Sequence, residues 1–261
     1  MKKFVWLLLP ALLLTACSGK KAPDTPETTA PTEPAPPALL LAQETTVADG
    51  ETRETTYSYS PDSLCTGWVT TVDGEIAVTV SLRYDDQGRE VSRTELTDGE
   101  EWVTHSFYGD NGLLSGRAIY LNSAKSQTDA YAYDDQGHLL THTEQDVPSG
   151  TTRVTANTYE NGLLTLQVIT SGGAEQQRSE YTYDDSGRVK IIRIQENGSA
   201  TTVSCEYIDQ IETRSTIDSD GNILQTKVIH RDNGGNPATE VITDSEGNTL
   251  STKTYIWQPL E

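Results

Sequence analysis

The chain has 261 residues, 34% of them hydrophobic, and 19 Lys and Arg against 39 Asp and Glu give it a net charge of −20. So acidic a surface repels nucleic acid, anionic lipid and teichoic acid, so none of these is an expected partner. The low apolar content also excludes a thick hydrophobic core.

The first residues give an address. Lys2 and Lys3 make a basic start, Phe4 to Leu14 is an apolar run broken by Pro10, and Leu14-Thr15-Ala16-Cys17 follows. That run is too short to cross a bilayer, so residues 1–16 read as a secretory signal. The tetrapeptide ending in Cys17 resembles the lipobox of bacterial lipoproteins. The resemblance implies cleavage before Cys17, lipidation of its sulfur and new amine (diacylglyceryl and palmitate-like chains), and anchorage in the cell membrane on the extracytoplasmic side. An ordinary signal peptide with an incidental cysteine is the alternative. Removing Lys2 and Lys3 takes the charge from −20 to −22.

Residues 17–44 follow as a Pro/Thr-rich tether, "SGKKAPDTPETTAPTEPAPP" and beyond. Such a segment cannot bury a core and favours an extended chain, reaching about 80 Å at ~3.1 Å per residue. The short Leu39-Leu40-Leu41 run at its end is expected to dock on the first strand of the body.

Residues 45–261 form one repetitive domain. The phrases "RYDDQGREV", "AYDDQGHLL" and "TYDDSGRVK" return around Tyr84, Tyr133 and Tyr183, with weaker copies at Tyr59, Tyr108, Tyr159 and Tyr207. Past Tyr207, "IDSDGNIL" and "TDSEGNTL" keep the turn without the tyrosine. Between phrases lies a second turn, as at Asp73-Gly74, Asp98-Gly99 and Asn197-Gly198. Two turns per repeat leave short segments rich in Thr, Val, Ile and Tyr, so each unit reads as a β-hairpin. The expected fold is all-β: an antiparallel hairpin meander of roughly fourteen to sixteen strands, a twisted sheet prone to curl. Within a phrase, Asp caps its turn, Gly takes the positive φ, and Tyr clamps the neighbouring strand while its hydroxyl reaches water.

These phrases resemble the YD repeats of the RHS family of bacterial surface and toxin proteins. The resemblance implies a long curling β-sheet, closed in large members into a shell around a toxin. "YENGLL" also resembles MORN-like repeats, which imply a row of hairpins.

Chemistry is sparse. His105, His138, His142 and His230 show no zinc-like spacing and read as surface residues. Asp218, Asp220, Asp244 and Glu246, in "DSDGN" and "DSEGN", resemble part of a calcium loop but lack its full ligand run, leaving them weak candidates beside plain turn chemistry. No other metal site, cofactor site or catalytic constellation is expected. Trp68, Trp102 and Trp257 could face a sugar or fill an apolar face. A Cys65–Cys205 disulfide would require the sheet to close. The expected function is a lipid-anchored, non-catalytic surface binding or scaffold module for an unidentified cell-wall, glycan or protein ligand. The alternatives are an RHS-type toxin or immunity component and a wall-active hydrolase.

Overall fold

Turn chemistry dominates the chain, and in a computed structural model it produces strands alone; residues 39–259 are described. The first six strands are β1 (Leu39–Ala48), β2 (Glu51–Tyr59), β3 (Cys65–Val72), β4 (Glu75–Tyr84), β5 (Glu90–Thr97) and β6 (Glu100–Tyr108). The next six are β7 (Leu114–Leu121), β8 (Ala124–Tyr133), β9 (Leu139–Asp146), β10 (Thr152–Glu160), β11 (Leu163–Ser171) and β12 (Ala174–Tyr183). The last six are β13 (Val189–Glu196), β14 (Ser199–Ile208), β15 (Ile211–Ile217), β16 (Ile223–Arg231), β17 (Pro237–Asp244) and β18 (Thr249–Pro259).

Every strand pairs antiparallel with the next, and β1 pairs with β18 as well as with β2. The meander is therefore a closed 18-stranded barrel, and the expected sheet of fourteen to sixteen strands is corrected. The seam explains the difference. Leu39–Leu41, expected to dock on the first strand, is the start of that strand, so the boundary drawn at residue 45 falls inside β1. Closure leaves no unpaired edge to recruit another chain. It also occurs without a disulfide: Cys65 and Cys205 are both free, on β3 and β14. The shorter way round the wall between those strands is seven steps at about 4.8 Å, or about 34 Å.

Alternate residues face the two sides of the wall. One face carries nearly all the least accessible side chains, among them Thr55, Thr70, Val80, Ser106, Asp129, Gln167, Ile169, Ser179, Cys205, Glu212 and Ile229. This is the concave, inner face, where side chains converge. Ala118 is the exception, lying on the outer face beside His105 and Tyr120. The outer wall otherwise shows threonines such as Thr79, Thr94, Thr128, Thr143 and Thr226, interspersed with Glu54, Glu180, Arg193 and Glu206. Among the described residues, hydrogen bonds, ion pairs and aromatic contacts join the same strand, neighbouring strands or adjacent turns. None crosses the lumen. The barrel is hollow, and its strength comes from the ladder and from clamps on the inner wall.

Those clamps are the repeated tyrosines. All seven stand at or next to the end of an even-numbered strand, and all but Tyr133 donate to a carbonyl of the preceding strand: Tyr59 to Leu41 (2.8 Å), Tyr84 to Cys65 (2.7 Å), Tyr108 to Glu90 (2.7 Å), Tyr159 to Leu139 (3.1 Å), Tyr183 to Leu164 (2.7 Å) and Tyr207 to Val189 (3.0 Å). The hydroxyls thus serve the wall rather than water. Trp257 takes the same place on β18, its Nε1 donating to the carbonyl of Pro237 at 2.7 Å. Arg231 takes it on β16, reaching Glu212 and the carbonyl of Gly235. One barrel end, here the tyrosine end, is therefore ringed, except at Tyr133 on β8, by long side chains bonded to the strand before.

Burial raises the phenol pKa of these tyrosines above the ordinary 10, and pushes Tyr131 and Tyr255 up to about 12. A folded pKa above the unfolded one gives stability that is complete below pH 10 and is lost as pH rises through the folded value. Phenolate absorbance of the native protein should accordingly rise well above pH 10 and together with unfolding, whereas in denaturant it rises near 10. Independent titration of most tyrosines near 10 in a still-folded barrel would refute the clamps.

The last repeats change phase. Asp209-Gln210 is a two-residue turn at the tyrosine end, so the turns at 218–222 and 244–248 fall at the far end. They had read as continuations of the tyrosine phrase. Their true counterpart is Asp232 to Asn236 between β16 and β17.

Candidate functional site

The first aspartate of each phrase is fully used within its turn. Asp85 Oδ1 accepts from the amides of Gln87 and Arg89, and its Oδ2 pairs with the Arg89 guanidinium at 2.7 Å. Asp184 does the same with Ser186 and Arg188, and Asp134 with Gln136 and His138. The Arg or His side chain then lies over the next clamp. Arg89 sits 4.6 Å from the Tyr108 ring centroid, Arg188 4.4 Å from Tyr207, and His138 stacks on Tyr159 at 4.8 Å. Aspartate, its Arg or His partner and the following tyrosine thus form a staple between successive repeats, a cation–π contact where the partner is arginine. His138 was read as a surface residue; the Arg or His after the glycine of each of the three YDD phrases was the signal for its role.

The weak calcium candidates lie in turns of the same construction. Asp218 Oδ1 accepts from the amides of Asp220 and Asn222, and Oδ2 from Asn222 Nδ2. Asp244 repeats this with Glu246 and Asn248, whose amide group also reaches Glu246 at 3.3 Å. Bonds from the residue four positions on hold Asp218 and Asp244 below the ordinary carboxylate range. A cation on Asp218 or Asp244 would have to displace turn amides. Among the described residues, no three His, Cys, Asp or Glu side chains gather at metal-binding distance. Cys17 lies outside the described residues.

Polar chemistry concentrates on the inner wall, in two clusters. On β15, Glu212 is 3% exposed and accepts from Arg214 Nε at 2.5 Å and Arg231 at 2.9 Å. Burial pushes its carboxyl up, but the two guanidiniums outweigh it and hold the pKa below normal. Across β6 to β9 lies the second cluster: Ser106, Arg117, Asp129, Tyr131 and His142. Asp129 accepts from Gln127 at 2.6 Å and from the Tyr131 hydroxyl at 3.3 Å, with His142 Nε2 at 3.7 Å. The His142 ring lies flat on Tyr131, centroids 4.5 Å apart. Burial again raises the Asp129 carboxyl, and these partners bring it below the usual range. His142 was read as a surface residue, and Asp129 drew no attention because a polar residue in a strand reads as solvent-facing.

The tryptophans belong to this wall. Trp68 packs on Tyr57 and carries the Arg93 guanidinium at 4.9 Å, while Trp102 stands opposite Glu95 on the same face. A shallow hollow of about 660 Å³ at the tyrosine end is lined by Asp134, Asp135, Gln136, His138, Tyr159, Asn161 and Gly162.

No protein-family profile and no curated protein matches the chain. Solved structures do resemble it. A porin-like protein from Bacteroides uniformis is 13% identical, with 84% of this chain and 98% of that one covered and a TM-score of 0.48. A porin-like protein from Bacteroides vulgatus has the same identity and coverages at a TM-score of 0.33. The toxin complex TcdB2-TccC3-TEV matches 83% of this chain over 18% of its own, at 13% identity and a TM-score of 0.30. All three values lie below one half, and the fold above stands on this chain's own strand pairings.

Proposed function

We propose that the protein is a lipid-tethered extracytoplasmic barrel acting as a non-catalytic binding or scaffold module, with Cys17 as its lipidated anchor. The observation that carries this reading is a closed, hollow wall whose buried acids are committed to structural bonds. Asp129 and Glu212 are held ionised, which suits an ion-paired wall and opposes a general acid, whose pKa must be raised. The outer wall supports a tether over insertion. A membrane-spanning barrel presents an apolar band to lipid, where charges within the strands such as Glu180 and Arg193 would each be costly. Cys17→Ser should move the full chain from the membrane fraction to the soluble fraction without changing its thermal melt. Membrane retention of that variant would overturn the tether.

A further inference from the structure

Four Asn-Gly pairs lie in the turns: Asn111-Gly112, Asn161-Gly162, Asn197-Gly198 and Asn233-Gly234. Such a pair is chemically labile, because a glycine amide with no side chain beside it can attack the asparagine carboxamide. The fold treats the four differently. Gly112 N–H donates to the Gly109 carbonyl at 2.9 Å, while Asn111 Oδ1 accepts from the Leu113 amide. Gly234 N–H donates to Asp232 Oδ1 at 2.9 Å, while Asn233 Oδ1 accepts from Gln210. In both pairs the nucleophile and the carboxamide are tied down. Among the described residues, Gly162 N–H and the Asn161 side chain have no hydrogen-bond partner, and neither have Gly198 N–H and the Asn197 side chain. These are the central pairs of two-residue hairpin turns, at φ +52° and +78° for Asn161-Gly162 and +48° and +82° for Asn197-Gly198. Of the two free pairs, the first has a base at hand. His138 Nε2 lies 3.7 Å from where a Cβ on Gly162 would stand, and both residues line the hollow at the tyrosine end, whereas a Cβ on Gly198 would meet nothing within 4 Å. His138 Nδ1 lies 2.8 Å from Asp134 Oδ2, and a carboxylate only accepts, so in the neutral ring Nε2 keeps the lone pair. Stacking on Tyr159 holds the ring in place.

We propose that Asn161-Gly162 is a self-modification site, with His138 as its general base and water as the co-reactant. His138 takes the proton of the Gly162 amide, directly or through one water, as that nitrogen bonds to Asn161 Cγ. The Cγ–Nδ2 bond breaks and ammonia leaves with the proton, closing a succinimide. Water then opens the ring. Cleavage at Cγ gives aspartate, and cleavage at the main-chain carbonyl gives isoaspartate. Either product takes the charge from −20 to −21 and sets a third carboxylate in the hollow with Asp134 and Asp135. The isoaspartate also adds a methylene to a two-residue turn across which β10 and β11 must still pair.

The test is to incubate the full chain at physiological pH and temperature and to follow all four pairs by peptide mass spectrometry, with a denatured sample alongside. In the native chain Asn161 should convert fastest and Asn197 severalfold slower. Asn111 and Asn233, which must first give up their hydrogen bonds, should fall about tenfold or more below Asn161. In denaturant the four rates should converge. His138→Arg supplies the residue that Arg89 and Arg188 provide in the sister turns, so it keeps the staple and the melt but removes the base. Asn161 should then drop to the rate of Asn197. Native conversion of Asn161 no faster than that of Asn111 and Asn233, native ratios equal to the denatured ones, or an unchanged Asn161 rate in His138→Arg would each overturn the site. Should that variant fail to fold, Asn161 against Asn197 in the native chain decides, and equal rates there are fatal.

Discussion

Gly67→Ala should be the most damaging single methyl in the barrel. A Cβ at this position would lie 2.1 Å from the Val80 carbonyl oxygen and 3.1 Å from Ser81 Cα, both backbone atoms of β4 that cannot step aside. The glycine also has φ +153°, a conformation that side chains disfavour. Relief requires the β3–β4 ladder to part where Gly67 faces Ser81, beside the packed Trp68–Tyr57 pair. A loss above about 4 kcal/mol is expected, at the extreme of single substitutions. Gly116 supplies the control. It holds the same place in β7, but a Cβ there meets only the Asp129 carbonyl at 3.0 Å, and shifts of a few tenths of an ångström would relieve it. Gly116→Ala should cost about 1 kcal/mol. Urea unfolding of both variants measures the difference, and equal midpoints would refute the close approach.

Glu212→Ala is expected to follow in severity. It strips one buried carboxylate from two guanidiniums at once, leaving Arg214 and Arg231 facing each other without their anion. Breaking a buried pair costs about 3–5 kcal/mol, but the arginine side chains are 45% and 37% exposed, so solvent lowers the figure to about 2–3 kcal/mol. The same bond carries a pH signature. A folded pKa below the unfolded 4.5 means the stabilisation is complete above 4.5 and disappears as pH falls through the folded value. Native and variant midpoints should differ at neutral pH and converge in acid. A gap that persists below the folded carboxylate range would show that shape, not charge, holds Glu212 in place.

Much of this architecture was legible in the sequence because it is local. Asp-Gly and Asn-Gly turns, the strand between Glu75 and Tyr84, and the tyrosine clamp follow from spacing and turn chemistry. Ile76, two residues before Val78 in the same strand, stands 70% exposed because the register shifts at Thr70/Thr71. Closure was not legible, since it depends on residues 39–48 meeting residues 251–259 across the whole chain. Polarity misled in the same way. Arg153, Asn157 and Tyr159 make a polar strand face, yet they line the inner wall, where Arg153 pairs with Glu144 and Asn157 accepts from Gln167. In a hollow barrel the inner face need not be apolar, so hydrophobic alternation loses its meaning and only partner identity remains. Those partners lie one strand away, at separations set by turn lengths.

The seam has a mechanical consequence. β1 begins at the tyrosine end with Leu39 and is paired along its length with β18 and, from Gln43 to Ala48, with β2 on the other side. Force applied through residue 39 along the strand therefore loads both ladders in shear, so their bonds resist together instead of opening one after another. Peeling β18 from its C-terminal end, by contrast, would unzip Pro259 from Leu39 first and break the closure pair by pair. A barrel loaded through the start of its first strand is thus strongest along that strand.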